Sequence, residues 1–360
     1  MRIVLVGGGT GGSVGPLLSL KQAIQKKKKD AQFLFIGPKS DRLIIRIAKD
    51  FSLPYKGIHC SKLRRYFDLR NFLAPFLVLL GIIESIKLLK EFKPKAIFSS
   101  GSFAAVPVGI AGWLLKISVF IHQQDVVPSL TNRLLSPFAR KITVSLACSL
   151  KDFPPQKTVF TGNPVKQDLD KVSKKQAEKF FSFSKNDLPV ILVFGGSQGA
   201  ALLNELVCNL LPDLLKFSKI IHLTGNNFKC SVSLSENLKD NYRSFQFLGK
   251  EMPLAYKLAD IVVCRAGMGT LSELSFLGKP SIVLPIAYTH QEANALYFLE
   301  HKAIRALFRN EQNTEKLLEE IRKLIQNPEL RKELGENIKK MKVFASAQKI
   351  LDEYKDILGL

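Results

Sequence analysis

Apolar residues along this chain fall into two rhythms. Runs of three to five consecutive apolar residues read as strands buried on both faces. Longer stretches with apolar residues every three or four positions read as helices. Residues 3–6, 32–36, 96–99, 119–122, 142–144 and 158–160 are of the first kind. Residues 16–29 are of the second, opened by Pro16 and closed by a lysine run that suits the negative end of a helix dipole. Thr161, Gly162, Asn163 and Pro164 form a turn-rich break. Beyond it a polar helix is expected over 171–183, then strands over 190–194, 220–223, 245–248, 261–264 and 281–284, and closing helices over 313–326 and 328–360. This alternation predicts an α/β protein of two Rossmann-like, doubly wound domains, each a mostly parallel sheet with helices on both faces.

Three strands run straight into glycines and then into a helix. Val6 is followed by Gly7, Gly8, Gly9, Thr10, Gly11 and Gly12. Phe194 is followed by Gly195, Gly196, Ser197, Gln198 and Gly199, and Cys264 by Arg265, Ala266, Gly267, Met268, Gly269 and Thr270. Glycine lets the backbone approach an anion, and the first turn of the next helix offers unpaired N–H groups to it. The first two lie about one domain apart, which suggests two such pockets facing each other across a cleft.

Residues 72–83 break the pattern, being apolar throughout. Twelve residues are too few to span a bilayer, which takes roughly 20. On a helix, Phe72, Phe76, Leu79 and Ile82 share one stripe, and Leu73, Leu77, Leu80 and Ile83 the adjacent one. One stripe can pack inward while the other lies outward. Lys62, Arg64, Arg65 and Arg70 stand just before the segment, as expected of a membrane-contacting patch with cations at headgroup level.

Composition sharpens this reading. The 360 residues fit two domains better than one. We expect one over 1–162, a second over 163–335, and a last segment, 336–360, crossing back to the first. The net charge of +22 is uneven: residues 1–160 hold 25 basic against 8 acidic residues, and residues 161–360 hold 28 against 23. The first half is therefore the one expected to meet an anionic surface. No nucleic-acid-binding motif accompanies that charge, which favours a membrane surface over nucleic acid. The five cysteines are scattered without a C-x-x-C pair, so reduced, buried thiols in a cytosolic setting are expected, and no zinc site.

Gly7, Gly9 and Gly12 have the spacing of a dinucleotide-binding fingerprint, but the second strand ends Gly37, Pro38, Lys39 without the acid such a site needs for the ribose. A nicotinamide dehydrogenase is thereby disfavoured. Asp168 and Asp170 have the spacing of a metal-binding pair but sit in a polar stretch that reads as a solvated helix face, so no metal or other cofactor is assigned. Glu273 falls about one turn into its helix, where it could favour the dipole or accept both hydroxyls of a ribose. His122 and Asp125 open a loop at a strand's carboxyl end, where such folds keep ligands.

Taken together, GGGTGG at 7–12, KLRRYF at 62–67, TNRLLS at 131–136, GNPV at 162–165, GGSQGA at 195–200 and CRAGMGTLSE at 264–273 resemble the peptidoglycan N-acetylglucosaminyltransferases of the MurG type. The resemblance implies the GT-B architecture, with an acceptor domain first and a donor domain second. It implies inverting, metal-independent transfer of GlcNAc from UDP-GlcNAc to undecaprenyl-linked lipid I at the cytoplasmic face of the bacterial plasma membrane. It further implies donor contacts from Thr10, Gly11 and Gly12, and from Lys166, Ser197 and Gln198 with the Met268, Gly269 and Thr270 backbone on the diphosphate. Arg265 lies in the same motif. Glu273 would take the ribose, Gly249 and Met252 would border the uracil, and Gln291 and Asn294 would reach the sugar. Phe72, Phe76, Leu79 and Ile82 match the family's membrane patch.

Two departures stand out. Ser13 occupies the place of a histidine, and His122, Gln123, Gln124 and Asp125 replace a His-Glu-Gln-Asn sequence. A serine hydroxyl is far too weakly basic to take the acceptor's proton. We therefore expect Asp125 to act as base, with His122 orienting it or standing in. The competing expectations are a glycolipid transferase with another acceptor, a UDP-sugar epimerase, and a membrane-binding module that has lost catalysis.

Overall fold

The computed structural model of the chain describes residues 1–9, 11–61, 70–166, 168–183, 186–196, 199–226 and 228–359, with the side chains of 70–72 outside that description. The chain divides into two compact units, one of Met1–Val165 with Phe344–Leu360, the other of Lys166–Val343.

The first unit opens with β1 (Arg2–Val6), α1 (Gly15–Lys27), β2 (Gln32–Pro38), α2 (Arg42–Asp50), β3 (Tyr55–Ile58), α3 (Arg70–Phe92) and β4 (Ala96–Ser99). It continues with α4 (Ala105–Leu114), β5 (Ser118–Gln123), α5 (Leu130–Leu135), β6 (Lys141–Val144), β7 (Thr158–Phe160) and β8 (Asn163–Pro164). Seven of these strands form a parallel sheet in the order β3-β2-β1-β4-β5-β6-β7. Strand alternation explains the unbroken apolar runs. Ile3 and Leu5 pack with Leu17, Ile24 and Ile44 on one side. Val4 and Val6 pack with Leu89, Val108 and Leu135 on the other.

Helix α3 is longer than the apolar segment that announced it. Its inward line runs through Ala74, Gly81, Ser85 and Leu89, all buried, and small residues there let it pack closely along α4. The outward face therefore draws on both expected stripes: Leu73, Phe76, Leu79, Leu80 and Ile83 are exposed, Phe76 at 71%. Ile82 is the correction, since it packs against the core with Ile86 and Leu88. No helix among the described residues is long and apolar enough to cross a membrane.

The second unit contains α6 (Lys174–Phe181), β9 (Val190–Phe194), α7 (Ala201–Leu214), β10 (Lys219–Leu223), α8 (Glu236–Lys239), β11 (Tyr242–Phe245) and α9 (Met252–Leu258). After these come β12 (Ile261–Cys264), α10 (Met268–Leu277), β13 (Ser281–Val283), α11 (His290–Glu300), β14 (Arg305–Ala306), α12 (Thr314–Gln326) and α13 (Pro328–Lys340). Its parallel sheet runs β11-β10-β9-β12-β13-β14. The strand expected over 245–248 lies earlier, over Tyr242–Phe245, where it pairs with Ile220 to Leu223 of β10. Asp168 and Asp170 are exposed in a turn before α6 rather than on a helix. Cys208 and Cys230 form a disulfide, which corrects the expectation of five reduced thiols. Strand β10 carries the chain back along α7, bringing residues 22 apart in sequence to a Cα separation of 5.7 Å.

The final stretch is not one helix over 328–360. Helix α13 stays with the second unit, where Ser275 donates to the Ile338 carbonyl at 2.6 Å. The chain then forms β15 (Phe344–Ala345), α14 (Ala347–Asp352) and α15 (Lys355–Leu358) in the first unit. Strand β15 pairs with β8, and the Tyr354 ring packs against Phe98 and Phe120.

Candidate functional site

In the second unit the strand order reverses between β9 and β12, so the loops after them leave the sheet in opposite directions and open a crevice at its carboxyl edge. Gly196 and Gly199 take φ of +94° and +79°. A Cβ on Gly199 would lie 2.5 Å from the Thr224 carbonyl oxygen, so the loop is held to a course only glycine follows. The helices that follow start without a side-chain cap, α7 at Ala200 and α10 at Gly267. By contrast α6, α11, α12 and α13 are capped by Ser173, Thr289, Asn313 and Asn327. A Cβ added at Gly267 or Gly269 would meet nothing within 4 Å. The first turn of α10, Met268 to Thr270, thus starts with open space beside Gly267 and Gly269 and with no side-chain cap among the described residues, an arrangement suited to an anion.

Glu273 lies farther along α10, half-buried, and accepts a hydrogen bond from the Tyr256 hydroxyl at 2.7 Å. Burial lifts its carboxyl above the ordinary range, against the opposing pull of the Tyr256 hydrogen bond and the Lys166 charge. Arg265 is pinned by hydrogen bonds from Nη1 to the Leu284 carbonyl at 2.9 Å and to Gln312 at 3.2 Å. Gln291 uses its Oε1 to accept from the Ile286 amide at 3.2 Å. Asn294 is fully buried and donates from Nδ2 to the Ala266 carbonyl at 3.1 Å, which braces the loop between β12 and α10. Met252 is the first residue of α9, and Gly249 lies just before it. The exposed Phe247 ring stands 3.5 Å from where a Gly249 Cβ would be, an aromatic surface the sequence reading passed over.

In the first unit the order reverses between β1 and β4. Gly11–Ser13 is a 3₁₀ turn, and Ser13 donates from Oγ to the Gly8 carbonyl at 3.2 Å. The loop after β4 meets it, with the Ser100 hydroxyl donating to the Ser13 carbonyl. Asp41 accepts from the Gly9 amide at 2.7 Å and from the Ile44 amide at 3.2 Å. It lies three residues beyond the strand end searched for a ribose-binding acid, and it occupies an amide of the glycine loop.

His122, the last residue but one of β5, is a buried, neutral imidazole. Its Nδ1 is bonded with Thr143 at 2.9 Å and its Nε2 with Asn163 at 3.0 Å and Ser145 at 3.2 Å. Burial holds its pKa down at about 4. This corrects the expectation that His122 orients Asp125 or replaces it as base, because both ring nitrogens serve the packing of β5, β6 and β8. Asp125 is half-buried, and its carbonyl accepts from the Gln123 side chain at 2.8 Å. Gln123 also donates to the Val127 carbonyl and accepts from Asn132, so its amide holds the whole turn. Thr10, Ser197, Gln198, Lys62, Arg64 and Arg65 lie outside the described residues, as does the Phe72 side chain.

The Glycosyltransferase family 28 N-terminal domain model matches residues 3–144, and the family's C-terminal domain model matches residues 190–350. The chain belongs to glycosyltransferase family 28. Curated relatives in the family carry the name UDP-N-acetylglucosamine–N-acetylmuramyl-(pentapeptide) pyrophosphoryl-undecaprenol N-acetylglucosamine transferase. One from Lachnoclostridium phytofermentans is 40% identical over 286 residues, 79% of each chain. One from Bacillus cereus, numbered 2, is 35% identical over 334 residues, 91% of this chain and 92% of its own. The crystal structure of Acinetobacter baumannii MurG has the same fold, with a TM-score of 0.74 at 24% identity over 100% of this chain and 99% of that one. The two parallel-sheet units are thus the two Rossmann-like domains of this glycosyltransferase family.

Proposed function

We propose that this protein transfers GlcNAc from UDP-GlcNAc to the C4 hydroxyl of MurNAc in undecaprenyl-linked lipid I, producing lipid II. The observation that carries the reading is the uncapped N-terminus of α10 with Glu273 on the same helix. That pair offers amides to a diphosphate and a carboxylate to a ribose, and the names of the relatives supply the sugar and the acceptor. The second domain would hold the donor and the first the acceptor.

In this mechanism the acceptor oxygen attacks the anomeric carbon from the face opposite the phosphate. The bond from that carbon to the phosphate oxygen breaks, UDP leaves with the electron pair, and configuration inverts. The developing charge on the diphosphate falls on the amides of Met268, Gly269 and Thr270, on Ser197 and Gln198, and on Lys166, with no metal called upon. Thr10, Gly11 and Gly12 are further proposed donor contacts, and Arg265, held by Gln312, would add positive charge. Glu273 would accept both ribose hydroxyls, and Gly249, Met252 and Phe247 would border the uracil. Gln291 would meet the sugar through its amide nitrogen, while Asn294 would act from beneath by fixing the loop. Asp125 would take the proton from the acceptor hydroxyl. Ser13 sits on the loop after β1, where its carbonyl accepts from Ser100 on the loop after β4.

The outward face of α3 would lie on the anionic inner surface of the cytoplasmic membrane, where an undecaprenyl acceptor resides. Five exposed apolar side chains on that face give way to exposed Lys87 and Lys90, and the first half of the chain carries most of the net charge.

The test is to mix the protein with lipid I and a series of UDP-sugars and to measure UDP release together with the lipid product. Release with UDP-GlcNAc well above the other sugars, and only when lipid I is present, is the expected result. Release without lipid I, or 2-epimerisation of the free nucleotide sugar, would overturn the assignment.

A further inference from the structure

Tyr256 is fully buried on α9 and touches three parts of the donor site. Its hydroxyl donates to Glu273 Oε2 on α10 at 2.7 Å. Its ring meets Phe194 edge-on at 6.0 Å, at the last position of β9 before the glycine loop. Its own helix begins at Met252, beside the stretch that would border the base. A phenylalanine would fill the same space, so packing alone does not call for the hydroxyl. A buried phenol needs a partner, and here the partner is a carboxylate.

We propose that Tyr256 is a positioning residue that fixes the Glu273 carboxylate for the ribose of the nucleotide. The inference rests on the reading of Glu273 as the ribose acceptor. A carboxylate with one oxygen held by a phenol has its rotamer set. Oε1, which has no hydrogen-bond partner among the described residues, and the second lone pair of Oε2 remain for two neighbouring hydroxyls. Because α9 and α10 are joined through this bond, the ribose contact is also held in register with the base-side stretch.

The experiment compares the Kd of UDP with that of 2′-deoxy-UDP by calorimetry for the full chain, for Tyr256→Phe and for Glu273→Gln, alongside steady-state kinetics with UDP-GlcNAc. The wild type is expected to favour UDP, and Glu273→Gln to abolish the preference. Tyr256→Phe should cut the preference by about tenfold, the loss of one charge-assisted hydrogen bond. It should also raise KM for UDP-GlcNAc by a similar factor while leaving kcat within about twofold. The ratio of two Kd values from one preparation is indifferent to the folded fraction, so a destabilised variant still reports. If Tyr256→Phe keeps the preference that Glu273→Gln loses, Tyr256 merely packs and the proposal falls alone. If Glu273→Gln keeps it too, the ribose reading falls and takes the proposal with it.

Discussion

The Asp41 carboxylate accepts the Gly9 amide at 2.7 Å while its other oxygen caps α2 through the Ile44 amide. One side chain thus shapes the first glycine loop and starts a helix. An incoming phosphate has no claim on the Gly9 amide unless Asp41 yields it. Asp41→Ala removes both bonds and is expected to destabilise the first domain by about 1–3 kcal/mol. Thermal unfolding should show a fall of several degrees. Asp41→Asn, which retains an accepting oxygen, should recover most of that loss, and equal melting of both variants would refute the account.

Turnover tests the proposed base. Asp125→Asn keeps the shape of the turn that Gln123 braces but removes the negative oxygen. It is expected to lower kcat by on the order of 10²-fold with little change in KM for UDP-GlcNAc. Adding Ser13→His to that variant should restore part of the rate. Near-normal activity of Asp125→Asn alone would exclude the role.

Exposure along α3 separates surface from core. Phe76→Glu and Leu80→Glu alter exposed positions, so binding to vesicles containing anionic lipid should drop about tenfold or more while UDP binding in solution is unchanged. Ile82→Glu drives a carboxylate toward the core and should instead lower the melting temperature. Sedimentation with liposomes and thermal melts give the two readouts, and unaltered vesicle binding by Phe76→Glu would refute the patch.

Acid should unfold the protein through its buried imidazoles. His122 and His222 are each held down at about 4 by burial. In the unfolded chain a histidine binds its proton near pH 6.5, so between these values the unfolded state holds more protons than the folded one. Stability contributed by each neutral imidazole is full above pH 6.5 and is lost as pH falls toward 4, by roughly 3 kcal/mol per histidine at the limit. Urea unfolding between pH 4.5 and 7.5 measures the slope. His122→Gln should flatten it by about half the histidine contribution.

Much of the fold was legible because strands buried on both faces announce themselves as unbroken apolar runs. Residues 96–99, 158–160, 190–194 and 261–264 were read to the residue. Strands β3, β8 and β15 were not, because Tyr55–Ile58 holds Lys56 and Gly57 and the other two are two residues long. The disulfide joins cysteines whose spacing carries no signal. At the candidate site the glycine loops were plain from composition, but Asp41 and Phe247 were not, since nothing local marks a carboxylate that bonds an amide 32 residues away or an exposed ring beside a glycine.

By itself the sequence determined the element types, the two glycine-cradled domains and the family, since these rest on local periodicity and on motifs of fixed spacing. Tertiary structure decided which chemistry each side chain is free to do. His122 was expected to orient Asp125 or stand in for it, but its ring nitrogens are engaged by Thr143, Asn163 and Ser145, and Asn294 commits its Nδ2 to the loop before α10. The physical reason is that hydrogen-bond capacity is finite. Whether a polar group can act on a ligand depends on neighbours brought to it from distant parts of the chain.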